Sequence, residues 1–225
     1  MQLSIRDLTG LLQTNESTVS RWIRQQGLPA QQVGGQYRVN RAELLEWATA
    51  NRVRVSLELF DHFDDGDDVP SLACALAAGG VHYAVQARNR QEALAALVRL
   101  LPLPDGVDRE LLLNLLSSRE TSASTAIGDG IAIPHVRNPI VLNVTRPMIT
   151  LAFLAQPVDF AAPDGKPVGV LFSIVSPTSR GHLQLLSRLA YALHDGQFRQ
   201  AVSNRASCDE ILHEARRIEA GRIGP

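Results

Sequence analysis

The sequence predicts a layered α/β domain preceded by a small helical module that carries a β-hairpin. Three observations predict it. From about residue 69 onward, helix-period and strand-period segments alternate, the pattern of strands covered by helices. Residues 1 to about 52 show helical periods broken by one glycine-pair hairpin signal. Between the two stands DHFDDGDD (61–68), with five aspartates in eight positions. Such a run cannot pack a core and reads as a solvated linker. The expected divisions are therefore 1–54 for the front module, 55–68 for the linker and 69–220 for the main domain. The acidic run is not a calcium loop of the EF-hand kind, because Phe63 and Leu72 occupy its third and twelfth positions.

The front module is justified element by element. IRDLTGLLQ is a short helix with Leu8, Leu11 and Leu12 on one face. TNE turns the chain, with Asn15 or Thr14 capping the next helix. STVSRWIRQQ is that second helix; it buries Val19, Trp22 and Ile23 and leaves Ser17, Thr18, Arg21, Arg24 and Gln25 outside. Those exposed groups are donors and acceptors of the kind that read bases and phosphates. QQVGGQYRVN forms two short strands around Gly34-Gly35, with Arg38 beside them, and RAELLEWATAN packs back as a third helix. Residues 1–52 hold six arginines against four acidic residues, a net +2, and no lysine; Lys166 is the chain's one lysine.

Over residues 3 to about 50 this module resembles the excisionase type of helix-turn-helix domain, a relative of the MerR-type winged fold. STVSRWIRQQGLP and VGGQYRVNRAELLEW carry the resemblance. It implies that Ser17, Thr18, Arg21 and Arg24 enter the major groove of DNA while Arg38 meets phosphate. So few cations supply little affinity to a monomer, so binding as a homodimer to a repeated site is the expectation. The rival reading is a module that docks proteins.

In the main domain, SLACALAAGG is a helix ended by a glycine pair and VHYAVQA a strand. RQEALAALVRLL and DRELLLNLLSSRE are helices. PMITLAFLAQPVDF and VGVLFSIVSP are apolar, branched runs, as strands buried on both faces should be. GHLQLLSRLAYALHD and SCDEILHEARRIEA close the domain as helices.

Composition narrows the function. The chain has 225 residues, 45% of them hydrophobic, enough for a sizeable core, and a net charge of -1 that gives no global basic field for nucleic acid. Its apolar runs fall short of a membrane span, and MQLSIRD does not open a secretory signal. A cytoplasmic protein with no membrane partner is expected. Cys74 and Cys208 match no metal or redox spacing and are expected to be reduced thiols.

GDGIAIPH (128–135) is the segment that points to chemistry. Pro134 fixes its own φ and biases Ile133 toward extended geometry, while Gly128 and Gly130 permit a path other residues resist. The construction aims His135. Metal binding would need partner ligands, but His62, His82, His182, His194 and His213 stand singly, so no metal and no cofactor are expected. A hydrolase would need a GxSxG elbow and a kinase a phosphate loop with its lysine; neither occurs. A nucleophilic histidine that takes a group from another protein is left.

SSRETSASTAIGDGIAIPHVRNP, followed 47 residues after His135 by HLQLLSRLA from His182, resembles the active-site segments of the fructose/mannitol-type enzyme IIA domains of the bacterial phosphotransferase system, including the nitrogen-regulatory IIA proteins. The resemblance runs from about Val69 to Ile218. It implies a mixed sheet flanked by helices and a phosphoryl relay in which the histidine-containing phosphocarrier protein donates to His135. In that relay Arg119 and His182 stabilise the phosphoryl oxygens, Ser124 and Thr125 offer donors to the phosphate, and Glu120 orients Arg119. Ala123 and Ala126 depart from the glycines usual in this loop. VRNPIV replaces the usual glycine-basic pair, with Arg137 available for docking. The whole reads as a regulator that couples phosphorylation to DNA binding. The alternative is a plain IIA carrier that serves sugar uptake or nitrogen regulation, passes the group to a IIB domain or a kinase target, and uses its front module for docking.

Overall fold

The computed structural model describes every residue except Met1, Arg52, Arg54, Val55, 57–69, Ala123, 137–143 and 223–225. The expected linker, save Ser56, and Arg137 lie outside the described residues. The chain divides into two compact units between residues 67 and 68.

In the first unit, β1 (Gln2–Ser4) runs directly into α1 (Ile5–Leu11). Ser4 and Asp7 form a reciprocal capping box: the Asp7 N–H donates to Ser4 Oγ at 3.2 Å and the Ser4 N–H to Asp7 Oδ2 at 2.8 Å. Gln13, at φ 47°, turns the chain. Asn15 then caps α2 (Glu16–Gln25), its Oδ1 accepting from the Thr18 N–H at 2.9 Å. The strands β2 (Gln31–Val33) and β3 (Gln36–Asn40) flank Gly34 and Gly35, both at positive φ, as a two-residue mirror-image hairpin turn requires. α3 (Arg41–Ala50) follows. The sheet order is β1-β3-β2, all antiparallel. β1 is an element the sequence pattern does not predict. Leu8, Val19, Val39, Leu44 and Leu45 are fully buried. Trp22 and Trp47 pack with ring centroids 5.2 Å apart, and the Trp47 indole N–H donates to the Gln26 carbonyl at 2.8 Å.

The second unit opens with α4 (Leu72–Gly79), β4 (Val81–Val85), α5 (Arg90–Leu100) and α6 (Arg109–Ser122). The short strands β5 (Ala126–Gly128) and β6 (Ile131–Ala132) precede the long β7 (Met148–Val158) and β8 (Val168–Val175). Three helices close the unit: α7 (Ser179–His194), α8 (Gly196–Ser203) and α9 (Cys208–Arg222). Among the described residues the sheet has five strands in the order β4-β7-β8-β6-β5. It is mixed: β4 pairs with β7 and β6 with β8 in parallel, while β7 with β8 and β5 with β6 are antiparallel.

Helices cover both faces. Ile149, Leu151, Phe153, Val170, Phe172 and Ile174 pack with residues of α4, α7, α8 and α9. Ala152, Leu154, Val168 and Leu171 pack with α5 on the opposite side. Burial on both faces is why β7 and β8 read as continuous apolar runs, each large core side chain contributing about 1.5–3 kcal/mol. α4 lies so close to β7 that a Cβ on Gly79 would stand 2.2 Å from the Ile149 carbonyl oxygen. The Thr150 hydroxyl donates to the Gly79 carbonyl at 2.9 Å and fixes that approach.

Candidate functional site

The turn between β5 and β6 carries three successive residues at positive φ: Gly128 at 86°, Asp129 at 52° and Gly130 at 73°. The glycines make this path accessible. Asp129 is held in it by its backbone N–H, which donates to Asp164 Oδ2 at 2.8 Å. The Gly130 carbonyl accepts from the Gly169 and Val170 N–H groups at 2.9 and 3.1 Å, which pins the turn to the start of β8. β6 then runs parallel to β8, Ile131 opposite Val170 and Ala132 opposite Leu171.

The ladder breaks at Pro134, which has no N–H to donate, and resumes as a single parallel bridge between His135 and Ile174. The extended segment before His135 is thus a two-residue strand and an interruption, shorter than an unbroken strand to the histidine. Beyond β8 the chain enters α7, where the Thr178 side chain caps the Gly181 N–H at 3.0 Å and the His182 N–H donates to the Thr178 carbonyl at 3.0 Å. His182 therefore sits in the first turn of a helix that starts just past the strand end where His135 is bridged. The two rings meet with centroids 5.2 Å apart and planes tilted by 41°. Both residues are buried, at 3% and 4% exposure, which keeps bulk water from the pair.

His135 Nδ1 stands 2.7 Å from the Ile133 carbonyl oxygen. A carbonyl only accepts, so Nδ1 carries the proton, and in the neutral ring the lone pair lies on Nε2. The sequence pattern aims the ring; this contact decides which of its nitrogens carries the proton.

Arg119 lies half-buried in the last turn of α6. Its neighbour Glu120 is buried, at 2% exposure. Its carboxylate turns to the loop before β5, accepting from the Thr125 N–H at 3.0 Å (Oε1) and 3.2 Å (Oε2) and from the Thr125 hydroxyl. Ser124 Oγ lies 3.1 Å from Glu120 Oε1 and 2.6 Å from the Phe160 carbonyl. The Thr125 carbonyl in turn accepts from the Ile133 N–H at 3.0 Å. The loop of Ser124 and Thr125 is thereby brought to the segment that follows β6 and leads to His135. Sequence reasoning missed this work of Glu120; the one available signal was a carboxylate four and five residues before a Ser-Thr pair at a helix end.

On the first unit, Arg21 and Arg24 are exposed on α2, as are Ser17 and, partly, Thr18. The Ser17 hydroxyl donates to Asn15 Oδ1 at 2.6 Å, so it also serves the helix cap. Arg38 donates to Gln36 Oε1 at 3.2 Å and is opposite both Ser4 and Gln31 in the sheet. The Ser4 backbone N–H, with its hydroxyl and the charges of Arg38 and Arg6 adding, holds the Asp7 carboxyl below its ordinary pKa.

Among the described residues no group of three or more His, Cys, Asp or Glu side chains is placed to hold a metal ion, and no helix is long and apolar enough to cross a membrane. Cys74 and Cys208 are not paired.

Residues 76–215 match the family described as phosphoenolpyruvate-dependent sugar phosphotransferase system, EIIA 2, and residues 3–52 match the helix-turn-helix domain family. The fructose-specific EIIA component of Haloferax volcanii is 39% identical over 112 residues, 48% of this chain and 71% of that protein. The nitrogen regulatory protein of Bradyrhizobium diazoefficiens is 31% identical over 128 residues, 56% of this chain and 80% of that protein. Among solved structures, the nitrogen regulatory protein IIA-Ntr of Neisseria meningitidis superposes with a TM-score of 0.55 at 26% identity, over 64% of this chain and 98% of that one.

Proposed function

The chain belongs to the phosphotransferase-system EIIA 2 family and carries a helix-turn-helix domain in front, and from that premise we propose that it is a regulator whose His135 accepts a phosphoryl group from the histidine-containing phosphocarrier protein and whose helix-turn-helix domain answers on DNA. The observation that carries the reading is the buried His135–His182 pair with Nδ1 of His135 committed to the Ile133 carbonyl. Nε2 attacks phosphorus in line, the new Nε2–P bond forms as the donor's N–P bond breaks, and the donor imidazole leaves neutral. The phosphorylated ring bears positive charge that it shares with the Nδ1 proton, and the Ile133 carbonyl stabilises it.

His182, whose ring lies 5.2 Å from that of His135, hydrogen-bonds a phosphoryl oxygen or holds the nucleophile's orientation, and Arg119 supplies fixed positive charge for the equatorial oxygens. Ser124 and Thr125 are donors to the same oxygens; before transfer Glu120 holds the Thr125 hydroxyl, and the Phe160 carbonyl and Glu120 hold that of Ser124. Arg21, Arg24, Ser17 and Thr18 of α2 read the major groove, and Arg38 meets phosphate. A bound phosphoryl group adds roughly -1.5 to -2 charges to the second domain, enough to change dimerisation or DNA occupancy. Such a protein works in the cytoplasm, where its donor is found.

The test is labelled phosphoryl incorporation from phosphoenolpyruvate through enzyme I and the phosphocarrier, followed by DNA retention with and without the donors. Incorporation that vanishes in His135→Ala, with a DNA affinity that changes only in wild type, is the expected result. Incorporation without DNA retention at moderate salt reduces the protein to a IIA carrier with a docking module.

A further inference from the structure

We propose that Glu120 is a positioning residue for His135, acting through Thr125 and Ile133 to fix which nitrogen of the histidine ring is reactive. The proposal rests on the reading of His135 as the phosphoryl acceptor. Three hydrogen bonds follow one another without a gap. The Thr125 N–H donates to the Glu120 carboxylate at 3.0 Å, the Ile133 N–H donates to the Thr125 carbonyl at 3.0 Å, and His135 Nδ1–H donates to the Ile133 carbonyl at 2.7 Å. Each intermediate residue donates through its N–H and accepts through its C=O, so the linkage is positional: displacing one backbone turns the next carbonyl away.

A carboxylate at 2% exposure is costly unless its oxygens are satisfied. Here both oxygens accept, from the Thr125 N–H and hydroxyl and from Ser124 Oγ. The Thr125 N–H and hydroxyl donate to it outright, while Ser124 shares its one hydroxyl proton with the Phe160 carbonyl at 2.6 Å; such charge-assisted bonds are roughly twice as strong as neutral ones. Glu120 thus holds a loop that has no helix or long strand of its own, since β5 has three residues and β6 two. The Ile133 carbonyl would otherwise stand between a two-residue strand and a proline with little to fix its direction. The tautomer of a histidine is set by the hydrogen bond its other nitrogen makes, so the direction of that carbonyl decides whether Nε2 carries the lone pair.

The experiment compares wild type with Glu120→Gln, which keeps size and loses acceptor capacity: its amide nitrogen would face a donor. Nitrogen-15 NMR of the neutral His135 ring reads the tautomer without any phosphoryl donor. Wild type should show one pyrrole-type and one pyridine-type nitrogen, Nδ1 and Nε2 respectively. The variant should move both signals toward their average, and phosphoryl uptake should slow about tenfold in kcat with little change in KM for the carrier. A lowered Tm with an unchanged tautomer and kcat would make Glu120 a structural residue only and overturn the proposal. If Glu120→Gln does not fold, Glu120→Asp is read with the same two outcomes. A tautomer shift in a protein whose wild type takes up no phosphoryl group supports the positioning role and overturns the acceptor reading alone.

Discussion

His135 and His182 come together because a proline ends a strand ladder on one side and a capped helix begins on the other. His182→Ala leaves the acceptor and removes a neighbouring donor, so phosphoryl uptake should slow about 10²-fold with the product unchanged, measured by rapid-quench incorporation. Asp7 offers a prediction of a different kind. Its folded pKa is depressed by the Ser4 N–H, so it contributes stability that is present above its unfolded value of about 3.9 and lost as pH falls through the lower folded value. The unfolding midpoint of the helix-turn-helix unit should therefore drop below about pH 4 in wild type, and Asp7→Asn should flatten that dependence. At this scale His135 stood out, because Gly128, Gly130 and Pro134 each impose a backbone condition ahead of it, whereas His182 stands singly in the sequence and came only with the family resemblance. Glu120 was not legible. A carboxylate next to Arg119 reads as its ion partner, and only the fold shows that the chain wraps back over the end of α6 to bring Thr125 to it.

Elements with a period were readable and those without were not. The apolar runs of β7 and β8 and the helical stripe of α7 follow from pattern alone. β1 and β5 have three residues each, too few to show alternation, and exist because β3 and β6 pair with them. α8 was missed although Asp195 caps it, accepting from the Gln197 and Phe198 N–H groups at 3.0 Å each; its eight residues merge by sequence into the helix before it. Two element-scale outcomes are expected. Gly79→Ala must push α4 off β7, costing about 3 kcal/mol and lowering Tm by about 10 °C in a thermal melt. Arg21→Ala and Arg24→Ala, both exposed on α2, should each cost about 1–3 kcal/mol of DNA affinity by fluorescence anisotropy while leaving phosphoryl uptake unchanged.

For the whole molecule, the chain divides into two compact units. Sheet order is a property of the whole domain, and local sequence carries little of it. That β7 and β8 are antiparallel neighbours accords with the short connection from Val158 to Val168, but the insertion of β8 between β7 and β6 depends on packing against helices from both ends of the domain. That insertion bridges His135 to the end of β8, from which the chain enters α7 and reaches His182, so the histidine pair is a consequence of topology as much as of motif. The most direct measurement is the intact mass of wild type and His135→Ala after incubation with phosphoenolpyruvate, enzyme I and the phosphocarrier protein, with phosphorus-31 NMR to identify the nitrogen that is modified. One phosphoryl group on Nε2 in wild type and none in the variant is the predicted result. An unchanged wild-type mass with cognate donors, or a gain that persists in His135→Ala, would contradict it.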